Sequence, residues 1–197
     1  MLHVAESIRE AIAHQSEGAP VLAKQFFHLS SRAAVDQALS RLCRSGELMR
    51  AGRGVYVRPV TSRFGVRPPA PEKIVEALAG LKGETVAPSG ASAANALGLT
   101  TQVPARMVYL TTGPARLLKV GRQEVELRHA PAWQLRWPRE RAGQVVRALA
   151  WLGPEEAPQH VPALRKKLSP PERKQLAAAT AGVPSWLAAH LSALAYG

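Results

Sequence analysis

Aspartate is almost missing from this sequence: Asp36 is the one example in 197 residues. A metal-dependent nucleotidyl or phosphoryl transferase holds its cations with two or three clustered carboxylates, and no glutamate cluster makes up the deficit. The chain is therefore not read as such an enzyme. Cysteine is equally scarce. Cys43 has no partner in the chain, which excludes an internal disulfide framework and fits a reducing compartment. The six histidines, His3, His14, His28, His129, His160 and His190, stand at no metal-ligand spacing, so neither a zinc site nor a cofactor is expected. Long apolar runs are also lacking. No window approaches the roughly 18 apolar residues of a membrane span, and Glu6 and Glu10 fall where a signal peptide would need its apolar core. The expected location is the cytoplasm, without membrane contact.

Positive charge is what the sequence has in excess. Twenty-six Lys and Arg stand against 14 acids, a formal net charge of +12. The excess is +5 over residues 1–67, +3 over 68–138 and +4 over 139–197, so it runs through the whole chain. Such a protein attracts polyanions by counterion release. A hydrophobic content of 46% is ample for a packed core.

The most informative stretch runs from Ala19 to Arg58. Val35, Ala38, Leu39 and Leu42 recur at i, i+3, i+4 and i+7, which predicts a helix within Ser30 to Ser45 with one packed and one wet face. Ser30 or Ser31 is a suitable N-cap, and Gly46 suits the left-handed position after the last turn. Leu48-Met49-Arg50 and Val55-Tyr56-Val57 read as two strands joined by Ala51-Gly52-Arg53-Gly54. Ahead of them, Val4 to Ala13 reads as a helix. Gly18-Ala19-Pro20 breaks it, and Val21-Leu22 leads into a short helix that turns Phe26 or Phe27 inward. The order is that of a winged helix-turn-helix over residues 1–60. A helix of this kind enters a major groove near its N-terminus, which makes Ser31, Arg32, Gln37, Arg41 and Arg44 candidate DNA contacts. Arg50 and Arg53 on the wing, and Arg58 beyond it, would meet the phosphate backbone or an adjacent minor groove. Against this stands the plain alternative that these residues form a solvated face. From Arg32 to Arg67, however, eight arginines face only Asp36 and Glu47.

Residues 61–70, with Pro59, Pro68 and Pro69 around them, read as a linker, either a solvated tether or a basic arm carrying Arg63 and Arg67. Residues 71–137 read as an α+β domain with a small sheet. It has a helix from Glu72 to Leu81 and a strand at Thr85-Val86-Ala87. A small-residue helix follows from Ala91 to Leu97, then a strand at Met107 to Thr111. Two further strands, Leu117 to Val120 and Glu124 to Leu127, flank Gly121-Arg122. The small residues after Pro88-Ser89-Gly90 suggest close packing of that helix on the sheet. Ser89 and Ser92 have no evident histidine base, and the stretch lacks the Gly-Lys-Ser ending of a P-loop. Glu124 and Glu126 share a strand face, read as solvated, with Arg122 and Arg128 near them. Residues 138–197 read as helical, over 141–152, 161–168, 170–181 and 184–195, with Trp151, Leu187, Leu191 and Leu194 as packing residues. The overall fold class is α+β.

Three blocks in order, Gly52-Arg53-Gly54-Val55-Tyr56, Pro88 through Pro104, and Tyr109-Leu110-Thr111-Thr112-Gly113, resemble the AbiEi-like antitoxin family over residues 1–135. The resemblance implies a winged-helix transcriptional regulator that represses its own operon by binding upstream repeats. It also implies that the protein acts, directly or indirectly, against a nucleotidyltransferase-like toxin. Operator repeats would call for a dimer or for cooperative monomers on double-stranded DNA. The alternative expectation is a protein-interaction module that binds a partner through its middle and C-terminal regions and has only non-specific DNA affinity.

Overall fold

The computed structural model describes residues 2–16, 18–63 and 65–197. The chain is mixed α+β, with seven helices and small sheets among the described residues. It divides into two compact units, residues 1–83 with 117–125, and 84–116 with 126–197. The division falls after residue 83, beyond the 61–70 stretch read as a linker.

In the first unit, α1 (Leu2–Ala13) is followed by β1 (Pro20–Leu22), a 3-10 turn (Ala23–Phe26), α2 (Arg32–Arg44), β2 (Met49–Gly52) and β3 (Val55–Val57). Helix α2 forms for the reasons legible in its sequence. Ser31 caps it, its hydroxyl accepting from Ala34 N at 3.3 Å. Val35, Ala38, Leu39 and Leu42 are its buried stripe, and Gly46 takes the left-handed conformation after it, at φ +79°. The stripe packs against Ile8, Ile12, Val21, Phe26, Leu48 and Tyr56. Phe26 faces inward, whereas Phe27 is 40% exposed.

The sheet order is β1-β3-β2, antiparallel throughout. Val21 lies opposite Tyr56, and Met49 opposite Val57. The register shifts between Arg50 and Gly52, leaving Ala51 as an irregularity that twists the hairpin. Of the two hairpin glycines only Gly54 needs positive φ, at +68°. Gly52 instead meets Leu118, whose Cδ2 would lie 3.3 Å from a Cβ placed there.

The 61–70 stretch doubles back on itself. It carries β4 (Val60–Ser62) paired antiparallel with β5 (Gly65–Arg67), and the prolines that suggested a tether bound this hairpin. Helix α3 (Pro71–Lys82) follows, with proline at its first turn and Gly83 in the left-handed conformation at its end.

The second unit opens with β6 (Val86–Pro88), α4 (Gly90–Ala96) and β7 (Met107–Thr111). With β8 (Arg116–Val120) and β9 (Gln123–His129) they give a four-stranded sheet of order β6-β7-β9-β8, joined at its last hairpin by Gly121 at φ +63°. Residues 117–125 of that hairpin group with the first unit. Glu124 pairs with Lys119 at 3.2 Å and Glu126 with Arg128 at 2.7 Å, so the two carboxylates are separately engaged.

The remaining core is helical. Helix α5 (Arg141–Lys167) breaks at Gly153 (φ +79°, ψ 176°) and restarts at Pro154. Its two halves replace the separate helices expected over 141–152 and 161–168 and fill the gap between them. Helices α6 (Pro170–Ala179) and α7 (Ser185–Tyr196) complete it, with Leu187, Leu191 and Leu194 fully buried. Trp151 corrects its expected role, being 45% exposed. Arg147 is the one buried arginine here. Its Nη1 donates to Gln134 O at 3.2 Å and its Nη2 to Pro138 O at 3.0 Å, and burial pushes its pKa down to about 10.

The small residues of α4 do allow a close approach, but to α5 and not to the sheet. Ala93, Ala94 and Leu97 join Val145, Val146 and Leu149 in one core. A Cβ on Gly90 would sit 2.5 Å from both Arg147 O and Trp151 Cβ. Among the described residues no helix is long and apolar enough to cross a membrane. Gly90→Ala is expected to cost about 1–3 kcal/mol of stability, as overpacking against backbone does, read as a lowered urea midpoint. An unchanged midpoint would show that α4 moves off α5 without penalty.

Candidate nucleic-acid interface

Three of the sequence-selected arginines converge on one surface cavity of the first unit. Arg32 from α2, Arg50 from β2 and Arg53 from the hairpin tip line a cavity of about 520 Å³, together with Phe27, Asp36, Ser40 and Tyr56. Two lysines complete it. Lys24 comes from the 3-10 turn and Lys82 from the last turn of α3. Five cations therefore surround one acid, and all five are exposed.

Backbone bonds between distant segments hold this arrangement. Ala23 N donates to Gly54 O at 3.0 Å, tying the 3-10 turn to the hairpin tip. Leu22 N donates to Gln25 Oε1 at 2.8 Å and closes the turn itself. Tyr56 and Val55, both buried, form the floor. Burial pushes the Tyr56 hydroxyl pKa up against the opposing influence of Arg50. The Arg32 guanidinium lies 5.9 Å from the Phe27 ring centroid and 3.8 Å from Asp36. A phenyl face and an i, i+4 carboxylate thus guide an otherwise mobile side chain. Arg50 Nε donates to Gly52 O at 3.4 Å.

The other selected residues are placed differently. Ala33, Gln37, Ser40 and Arg44 follow one another along the exposed face of α2, opposite its buried stripe. Gln37 and Arg44 are therefore exposed but outside the cavity lining, as is the half-buried Arg41. The hydroxyl of Ser31 serves as the helix cap. Arg58 is turned away from this surface and toward α1. Its Nη1 donates to Ile12 O at 3.1 Å, to Ala13 O at 3.2 Å and to Gln15 O. These are carbonyls at and just past the C-terminal end of α1, where a cation both adds a donor and complements the helix dipole.

The frame under the cavity is braced by an ion pair from Arg9 on α1 to Glu47 after α2, at 2.6 Å, with Ser45 Oγ 2.7 Å from the same carboxylate. Hydrogen bonds from Arg9 and then Ser45 hold the Glu47 carboxyl below its usual range. Among the described residues no group of three His, Cys, Asp or Glu side chains is placed to hold a metal ion. Lys24 and Lys82 were not singled out by the sequence, because Lys24 sits on the short turn ahead of α2, off the helix and hairpin of the motif, and Lys82 lies well beyond the hairpin. A surface that collects cations from four elements, with one acid to offset them, is suited to a polyanion.

The chain belongs to the DUF6088 family, a family of unknown function, whose profile matches residues 7–170. Among solved structures it is similar to the crystal structure of the RV2827C protein from Mycobacterium tuberculosis. The two share 16% identity with a TM-score of 0.50, over 98% of this chain and 76% of that one. At that identity the likeness concerns the fold alone. No curated protein matches the chain.

Two predictions separate frame from surface. Arg58→Ala should lose about 1–3 kcal/mol of stability, the worth of hydrogen bonds from a charged donor, whereas Arg53→Ala should stay within about 0.5 kcal/mol of wild type. Equal urea midpoints for the two variants would refute the division. Because the folded-state pKa of Glu47 lies below its unfolded value, its contribution is present above about pH 4.5 and disappears as pH falls through the folded value. Wild type and Glu47→Gln should therefore differ in urea midpoint at pH 7 and converge once the pH falls below the folded-state value.

Proposed function

We propose that residues 1–60 are a winged helix-turn-helix that binds double-stranded DNA, and that the protein is an autorepressor and the antitoxin of a toxin-antitoxin pair. The observation that carries this reading is the cavity between α2 and the β2–β3 hairpin, where Lys24, Arg32, Arg50, Arg53 and Lys82 gather around Asp36. The chain order supports it as well. A helix, a strand, a turn, a second helix and a hairpin follow one another, with the first strand paired to the last. In this arrangement α2 enters the major groove with Gln37 and Arg44 outward, and the hairpin arginines follow the phosphate backbone.

The antitoxin role rests on the sequence blocks that resemble the AbiEi-like family. In this reading the chain acts by binding and carries out no chemistry of its own, and operator repeats are occupied by a dimer or by cooperative monomers. The second reading is a protein-interaction module. It draws on Trp151, 45% exposed beside a cavity of about 620 Å³ lined by Leu99, Thr100, Gln102, Glu156, Gln159 and His160.

Fluorescence anisotropy decides between them, with the duplex upstream of the gene compared with a scrambled duplex over about 50–200 mM salt. The repressor reading expects an advantage of roughly a thousandfold or more for the upstream duplex at the high-salt end. Lys24→Ala, Arg50→Ala and Arg53→Ala should each weaken binding to all duplexes and flatten the log–log salt slope by about 0.9 per lost phosphate contact. If both duplexes lose affinity together in the wild type, the DNA-reading assignment falls and the partner reading takes its place.

A further inference from the structure

The lone aspartate occupies a position that charge alone does not explain. Asp36 sits on the second turn of α2 and lines the cavity whose other charged groups are Lys24, Arg32, Arg50, Arg53 and Lys82. A carboxylate there repels phosphate and subtracts from affinity for any nucleic acid. Nor is it consumed as a structural partner. Its contact with Arg32 is long, at 3.8 Å, and both side chains remain open to solvent, 49% and 70% exposed. Such an exposed i, i+4 pair stabilises a helix by no more than about 0.5 kcal/mol.

We infer that Asp36 is a base-reading residue, and that the preferred duplex carries a cytosine facing the second turn of α2. This rests on the DNA-binding reading above and specifies it. In the major groove cytosine presents an N4 amino donor and guanine presents N7 and O6 acceptors. A carboxylate accepts from the first, and a guanidinium donates to the second. Asp36 and Arg32, one helical turn apart on the same flank, thus offer complementary halves of a G·C-reading pair. In the free protein each half occupies the other loosely. On a matching duplex Asp36 exchanges Arg32 for the amino group of cytosine, and Arg32 is released to a guanine edge or a phosphate. On a duplex with guanine or thymine at that position the carboxylate faces an acceptor or a methyl group and stays desolvated without a partner, which penalises those bases. Adenine, which sets its N6 amino group beside the N7 acceptor, is rejected less strongly.

The test is selection from a random duplex pool by the full-length protein, followed by sequencing of the bound fraction, for wild type, Asp36→Ala and Asp36→Asn. The wild-type pool should contain a position held strongly as cytosine. In the Asp36→Ala pool discrimination at that position should fall by roughly 5- to 150-fold, the worth of one good base contact, while affinity for unselected duplex rises. Asp36→Asn should move the same position from cytosine toward adenine, because a carboxamide pairs with adenine N6 and N7. A role limited to steering Arg32 or to tuning net charge would alter affinity for all sequences alike and create no adenine preference, and that result overturns the inference. If the wild type enriches a sequence and the variants enrich the same one, the inference fails while the DNA-reading assignment stands. If the wild type enriches nothing, both fall.

Discussion

The arrangement of the first unit depends on a strand of three residues. Val55, Tyr56 and Val57 are all buried and are paired on both sides, to β1 and to β2. Because both edges of β3 are occupied, its backbone groups find their partners without water. The ladder continues past its end, with Gly18 N donating to Arg58 O at 3.1 Å and Arg58 N to Ala19 O at 3.4 Å. Alternation along the strand then decides the rest. Tyr56 points into the cluster made by α1 and α2, and the hairpin is fixed in position beside α2. The cation-lined cavity exists because this strand sets the distance between the helix and the hairpin tip.

Where the local pattern was strong, the sequence was a sufficient guide. The period of α2, its serine cap and its terminal glycine gave the helix with both ends, and Met107 to Thr111 read directly as a strand. What escaped had a non-local cause. Pro20-Val21-Leu22 is too short to show alternation, and it becomes β1 only because Val55–Val57 offers an edge more than thirty residues away. The small residues of α4 announced a close neighbour but not its identity, since a glycine reports the lack of room and not what fills it. Arg58 followed a strand in an arginine-rich stretch, and nothing adjacent to it betrayed the carbonyls at the end of α1 that it reaches. Val60 to Arg67 holds two three-residue strands between prolines, a length at which hairpin and tether look alike in composition.

The same contrast holds for the candidate site. Arg32, Arg50 and Arg53 were legible because they lie on the elements that define the motif, and they meet at one cavity. Lys82 was not, because chain folding and not sequence proximity brings it there, and Lys24 was not, because it sits on the short turn before α2 and not on the helix or hairpin. The net charge of the chain is a poor pointer in this respect, since the cations are distributed along its full length. What distinguishes the cavity is the small number of acids near it. That scarcity makes the presence of Asp36 informative in a way that one more arginine would not be.

Arg147 closes the 134–138 segment over α5 with two neutral carbonyl acceptors. Carbonyl oxygens do not titrate in the range where proteins are handled, so acidification has no means of unmaking this clamp. The alkaline side is different. The guanidinium is held at about 10, below its ordinary range, so the unfolded chain keeps this proton over an interval where the folded chain releases it. Linkage then requires that this residue's contribution to folding free energy improve as pH climbs through that interval. The desolvation cost of the buried charge is thus present in neutral and acidic solution and eases in base, while its bonds to Gln134 and Pro138 offset it in part.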